Sequence, residues 1–160
     1  MRWIRYETNG HPAYGIVEGD MVTEVRGDPF AGYEGTAIRQ PMASVKLMTP
    51  VEPRTFYCAG LNYAEHVIEA ARKRGQEPNL PQAADIGYRA NNALVAHGEN
   101  IVLPKDATER CQYEGELVAV IGKKAKNLSE RDALSCLASR RPASITSRRI
   151  CRTLSASRSS

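Results

Sequence analysis

The 160-residue chain has no apolar run long enough to cross a membrane, and Met1-Arg2-Trp3-Ile4-Arg5-Tyr6-Glu7 lacks the apolar centre of a secretory leader. A cytoplasmic location with no membrane partner is the expectation. None of the four cysteines (Cys58, Cys111, Cys136 and Cys151) forms a Cys-x-x-Cys pair, which argues against a zinc site. They are expected to be reduced thiols, with Cys58 in the core. Residues 138–160 contain six arginines but no Asp, Glu or aromatic residue. The net charge of +4 therefore belongs to this tail, because the other 137 residues carry 16 basic and 18 acidic side chains. Arginines among serines can bind phosphates, but without aromatic side chains for base stacking disorder is the simpler account, so a nucleic-acid partner is not expected.

The rest has the balance of an ordinary globular protein, with 42% hydrophobic and 25% charged residues. That length suits one domain, or a small module joined to part of a larger domain. Residues 1–27 read as a small β module, with strands at Trp3 to Glu7, Ala13 to Val17 and Met21 to Val25 and turns at Asn9-Gly10-His11-Pro12 and Glu18-Gly19-Asp20. Residues 28–53, rich in Gly and Pro and weakly periodic, read as a connecting segment.

At Arg54 the character changes. Thr55 to Ala59 reads as a buried strand closed by Gly60-Leu61. The helix signals of Asn62 to Gly75 come next, with Asn62 as N-cap, Glu65 reaching back to it, basic residues in the last turn and Gly75 at C′. His66 and Glu69, three apart, share a face of that helix. They suit either a base whose imidazolium is stabilised by its neighbour or a plain surface pair. Residues 76–87 read as loop. In the polar stretch Asp85 to Leu94, Arg89 is either a bidentate clamp for a carboxylate or a surface group. His97 falls in a turn, and Asn100 to Leu103 reads as a strand.

Gln112 to Gly122 is the centre of the reading. From Leu117 it is an apolar, partly β-branched run bounded by glycine, so it reads as a strand. Glu114 and Glu116 then point the same way, about 7 Å apart, at the start of a face continued by Val118 and Val120. Two like charges beside an apolar wall suit a divalent cation, Mg²⁺ or Mn²⁺ with Ca²⁺ as a third candidate. The alternative is an edge strand with both glutamates in water. Ser129 to Leu137 reads as a short helix with Ser129 as N-cap and Asp132 at N3, so Asp132 is better explained as a cap than as a metal ligand.

The order Gly60-Leu61-Asn62-Tyr63-Ala64-Glu65-His66-Val67-Ile68-Glu69, then Gly87-Tyr88-Arg89-Ala90-Asn91-Asn92-Ala93-Leu94, then Tyr113-Glu114-Gly115-Glu116-Leu117 with Ile121-Gly122-Lys123 resembles the fumarylacetoacetate hydrolase family. The resemblance runs from residue 1 to about 137. It implies a mainly β (α+β) fold, part of a mixed β-sandwich roll behind a small N-terminal β module, and a homodimer. It also implies divisions at 1–53 (module and connector), 54–137 (first part of a catalytic domain) and 138–160 (a disordered tail outside the family pattern). Glu114 and Glu116 would be metal ligands, His66 and Glu69 would orient and deprotonate a water, and Arg89 with Tyr88 would bind substrate. The implied chemistry is divalent-metal-dependent hydrolysis of a carbon–carbon bond in a β-diketo or acylpyruvate-type acid; related isomerase, decarboxylase and lyase outcomes need the same enolate. Relatives carry a later aspartate as third metal ligand, and residues 138–160 contain none. The expectation is therefore a truncated or frame-shifted chain with impaired activity, or a non-catalytic partner of an intact relative.

Overall fold

The computed structural model describes residues 1–103, 105 and 116–138, together with the backbone of 111–112 and 152–153. Two compact units divide the chain, one made of Met1–Pro50 and Val95–Ser160, the other of Val51–Leu94.

The first unit is built on an antiparallel sheet of β1 (Arg2–Thr8), β2 (His11–Glu18), β3 (Met21–Asp28), β4 (Gly32–Pro41) and β5 (Lys46–Leu47), in the order β4-β3-β2-β1-β5. Tight turns set its register. Thr8 pairs with His11 across Asn9 (φ 49°) and Gly10 (φ 76°), both left-handed, which is the two-residue turn that matches strand twist. Glu18 pairs with Met21 across Gly19 and Asp20, a second two-residue turn in which Gly19 alone is left-handed, at φ 58°. Tyr6 and Val22 are fully buried, joined by Val17 and flanked by Ile4, Ala13, Met42 and Val45. Gly15 makes room for this cluster, since a Cβ there would lie 2.5 Å from Val22 Cγ1 and 3.1 Å from Tyr6 Cε1. The buried Tyr6 hydroxyl donates to Glu24 Oε2 at 3.2 Å, so the phenol keeps a partner inside. Burial, more than the neighbouring carboxylate, pushes its pKa above the ordinary value.

Residues 28–53, read as a connector, hold β4 and β5 instead. β4 is an edge strand exposed along nearly its whole length, so it has no apolar alternation to betray it. Its pairing with β3 shifts register between Thr23 and Val25, where Thr36 Oγ1 donates to the Glu24 carbonyl at 3.0 Å.

In the second unit β6 (Phe56–Gly60) pairs antiparallel with β7 (Asp85–Arg89), and α1 (Ala64–Lys73) comes after β6. The strand expected to be buried alternates between half-buried and exposed, and Cys58 is half-buried rather than core. Residues 85–87, read as the end of a loop, begin β7. The helix starts later than its signals suggested: Tyr63 holds the N-cap position with no side-chain cap bond, and Asn62 is outside. Leu61, left-handed at φ 50°, turns the chain before the helix begins and moves Asn62 out of capping position. The C-terminus is as expected. Gly75 is left-handed at φ 65°, its N–H donates to the Arg72 carbonyl at 3.1 Å, and the Gln76 N–H donates to the Ala71 carbonyl at 3.0 Å.

The remainder of the first unit carries little regular structure among the described residues. Residues 100–103, expected as a strand, are not one, and Val102 is 84% exposed. Residues 116–120 form no strand either; Ile121 makes an isolated antiparallel bridge to Leu137, with Gly122 N–H donating to the Cys136 carbonyl and Ala138 N–H to the Val120 carbonyl. A strand requires a partner strand, and no strand among the described residues runs alongside this segment. Ser129 Oγ accepts the Asp132 N–H at 3.2 Å and donates to Asp132 Oδ2 at 2.7 Å, but Ser129 is not the N-cap that was expected: the short helix is 3₁₀, runs Ala133–Cys136, and has Asp132 at its N-cap position with no side-chain cap bond. Of the tail expected to be disordered, Arg152–Thr153 (β9) pairs with Cys111–Gln112 (β8); the rest beyond Ala138 lies outside the described residues.

Candidate functional site

The chain leaves the carboxyl end of β6 at Gly60, turns at Leu61 and enters α1, which carries His66 and Glu69 on its exposed surface. One side of the helix is fixed by Val67, which is buried. His66 and Glu69 interact electrostatically, but no hydrogen bond joins them among the described residues. The Glu69 carboxylate instead pairs with Lys73 Nζ at 2.6 Å, one helical turn on. Its pKa is lowered, first by the Lys73 hydrogen bond and charge, then by His66 and Arg72. Glu69 therefore stays ionised beside the imidazole, as stabilising an imidazolium requires, while its main partner is a lysine that sequence reasoning did not single out. The Glu69–Lys73 spacing, four residues apart on a helix, is the signal that could have found it.

Tyr88 and Arg89 are neighbours on β7, so they point to opposite faces. Tyr88 is 73% exposed and leans across the ribbon on Tyr57, ring centroids 4.8 Å apart and planes tilted by 45°. Hydrogen bonding between the two hydroxyls raises the Tyr57 pKa. On the other face, the Arg89 guanidinium folds back along its own strand, with Nη1 donating to the Tyr88 carbonyl at 2.9 Å. Asn91 Nδ2 ties the end of β7 to the Pro53 carbonyl at 2.7 Å. The role of Tyr57 is not visible in the sequence, because its contact is set by a pairing distant along the chain.

Glu114 lies outside the described residues. Glu116 is half-buried, and from it the chain alternates residue by residue: Val118, Val120 and Gly122 are half-buried like Glu116, whereas Leu117, Ala119 and Ile121 are exposed. Glu116, Val118 and Val120 thus share a side, as the spacing implied, even without a paired strand. Among the described residues no three His, Cys, Asp or Glu side chains gather in a way that could hold a metal. A hard cation such as Mg²⁺ takes about six oxygen ligands, and Glu116 alone does not fit that requirement. Glu116 belongs to the first unit, and His66, Glu69, Tyr88 and Arg89 to the second.

Residues 55–151 match the family model described as fumarylacetoacetate (FAA) hydrolase C-terminal, and residues 1–50 match one described as Rv2993c-like, N-terminal. The chain is 41% identical over 100 residues to a fumarylacetoacetate hydrolase domain-containing protein 2 homolog of Dictyostelium discoideum, covering 62% of this chain and 30% of that protein. It is 33% identical over 126 residues to the homoprotocatechuate catabolism bifunctional isomerase/decarboxylase of Escherichia coli, covering 77% of this chain and 28% of that one. Its fold superposes with a TM-score of 0.71 and 28% identity on a 5-carboxymethyl-2-hydroxymuconate delta-isomerase from Mycobacterium smegmatis, over 86% of this chain and 51% of that structure. These matches span between about a quarter and a half of the relatives' lengths. No described helix is long and apolar enough to cross a membrane. With a family model matched over more than half of its residues and a mainly β fold shared with solved relatives, the chain belongs to the fumarylacetoacetate hydrolase family.

Proposed function

We propose that the protein acts on small oxo-acids through an enolate, with His66 as the proton-handling group, Glu69 as the carboxylate that stabilises its charged form, and Arg89 as the carboxylate-binding cation. The observation that carries this reading is His66 beside an ionised Glu69 on the exposed surface of the helix that leaves β6. A positioned imidazole contributes typically 10²- to 10⁴-fold to a proton transfer. The outcome of the reaction is open to two chemistries. Hydrolysis of a carbon–carbon bond in an acylpyruvate-type acid needs His66 to activate a water; isomerisation or decarboxylation needs only proton transfer on the enolate. The names of the relatives, isomerase/decarboxylase and delta-isomerase, favour the second.

A divalent cation, Mg²⁺ or Mn²⁺ with Ca²⁺ as third candidate, would need Glu114 beside Glu116 and further oxygen donors, and residues 138–160 contribute no Asp or Glu. Bound, it would supply Lewis-acid polarisation of the oxo-acid carbonyls. We expect the 160-residue chain alone to hold it weakly and to turn over slowly. The domain divisions at 53 and 137 and a homodimer in a cytoplasmic setting belong to the same proposal.

The test incubates the purified chain with acetopyruvate or enol-oxaloacetate, with and without Mn²⁺, and follows products by NMR. Appearance of acetate and pyruvate supports hydrolysis, and ketonisation supports isomerase chemistry. In either case His66→Ala should lower the rate about 100-fold or more. No turnover with either acid, at any Mn²⁺ level, would overturn the enzyme reading for this chain. It would leave the second reading, a non-catalytic chain that pairs with a longer relative. The observation favouring that reading is the exposed apolar row of Leu117 (75% exposed), Ala119 and Ile121 (60% exposed).

A further inference from the structure

The exposed face of α1 holds one carboxylate between two groups that can use it. His66, Glu69 and Lys73 stand at positions i, i+3 and i+7, so they form one stripe along the helix, and all three are exposed. Within α1 the residues three and four places after His66 are Glu69 and Ala70, and the residues three and four places before Lys73 are the same two. Glu69 is thus the polar neighbour that both share. The lysine holds it: Lys73 Nζ lies 2.6 Å from Glu69 Oε1, and no hydrogen bond joins Glu69 to His66 among the described residues. Glutamate four residues ahead of lysine is the better of the two orders on a helix. Side chains on a helix lean toward its N-terminus, which brings Lys73 back over Glu69. The same lean would carry a released Glu69 toward His66, just under one turn nearer the N-terminus.

We infer that Lys73 is a positioning residue that competes with His66 for the Glu69 carboxylate, so that the proton-handling couple is held apart until the lysine gives the carboxylate up. The inference rests on the His66–Glu69 reading proposed above and adds to it a contact that restrains it. Only hydrogen bonds change hands: the ammonium turns to water, and an imidazole N–H donates to the carboxylate in its place. The competition is mild, because an exposed ion pair one turn apart on a helix shifts an equilibrium about 2-fold. Salt screens the attraction between two full charges more than a hydrogen bond from a neutral imidazole, so salt moves the carboxylate toward His66.

The experiment reads the His66 tautomer in the folded chain by nitrogen-15 NMR of the imidazole, at about pH 8.5, between the ordinary histidine and lysine ranges. It needs no turnover. A carboxylate that accepts from one ring nitrogen fixes the proton there, so the tautomer ratio reports the pairing. The chain has three histidines, and the His66 signals are those lost in His66→Gln. Lys73→Met should raise the share of the carboxylate-paired tautomer about 2-fold, whereas Lys73→Arg, which keeps the cation, should leave it in place. In a chain already carrying Glu69→Ala, Lys73→Met should change nothing. Raising NaCl to about 1 M should move the unaltered chain in the same direction as Lys73→Met. Thermal melts confirm folding, and should Lys73→Met melt early, the salt series on the unaltered chain supplies the comparison. A ratio that responds to Glu69→Ala but to neither Lys73→Met nor salt overturns the inference and leaves the His66–Glu69 couple standing. An equal shift on Lys73→Met with and without Glu69 gives the lysine a merely structural part and overturns it as well. A ratio indifferent to Glu69→Ala, in both the unaltered and the Lys73→Met chain, means that the two side chains never pair, and the proposed couple falls together with the inference.

Discussion

The β1–β5 sheet and the β6–β7 ribbon are built from similar period-two sequence, yet they use their aromatic residues in opposite ways. In the sheet Tyr6 is wholly buried against Val22, and its hydroxyl is satisfied by Glu24. In the ribbon Tyr57 and Tyr88 are 52% and 73% exposed and lean on each other across the strands. The difference is one of neighbours. Short loops bring β1, β2 and β3 together in a sheet where each has a neighbour on both sides, whereas among the described residues β6 pairs with β7 alone. Three or more strands with an apolar face can hold themselves together in water, and two are marginal. The first region is thus organised to be stable, while the second leaves its charged and aromatic groups open to solvent and ligands.

The comparison breaks most readily at Tyr6. Tyr6→Ala should destabilise the first unit by about 3–5 kcal/mol, the usual cost of emptying a buried aromatic site. Urea unfolding followed by Trp3 fluorescence checks this, because Trp3 is the single tryptophan and packs edge-on against Tyr33 across the same sheet, centroids 4.6 Å apart. A loss below about 1 kcal/mol would mean that the sheet does not depend on this cluster. The raised Tyr6 pKa adds a pH signature. The folded state favours the neutral phenol, so its contribution is complete below the ordinary value of 10.0 and is lost as pH rises through the higher folded value. Gly15→Ala comes next, at about 1–3 kcal/mol, because the added methyl must displace Val22 and Tyr6 in a filled core. The same probe should show little or no change for Tyr57→Ser or Tyr88→Ser, whose side chains are already more than half exposed.

Legibility in the sequence divides along the same line. The first three strands were legible because Asn9-Gly10 and Gly19-Asp20 fix their register locally and because Val17 and Val22 are more buried than the residues on either side of them, although Arg5 beside Tyr6 is buried as well. β4 was not, since an edge strand exposed on both faces carries no alternation. The start of α1 was misplaced by the left-handed Leu61, a backbone state that leucine rarely adopts and that no side-chain pattern announces. Along Glu116 to Gly122 the alternation is present without the pairing, because period two is a property of the segment and hydrogen bonding a property of its partner. Among the candidate site residues, His66 and Glu69 were placed together by helical spacing. Tyr88 and Arg89 were grouped by the family resemblance; as neighbours on β7 they point to opposite faces.

The smallest effect, and the one that bears most directly on the candidate site, concerns the lysine that shares Glu69. With the Glu69 pKa lowered chiefly by Lys73, the pair's contribution to α1 is present above the ordinary carboxylate value of 4.5 and is lost as pH falls through the lower folded value. Both side chains are more than half exposed, at 61% and 73%, so salt screens the pair and the stability change is slight. The titration is the sharper readout. In Lys73→Met the Glu69 carboxyl, followed by carbon-13 NMR, should titrate nearer its ordinary value, and the carboxylate is freed to turn toward His66. A Glu69 titration unmoved by Lys73→Met would mean that the lysine does not hold the carboxylate, and that the pairing four residues along α1 contributes nothing to keeping it ionised.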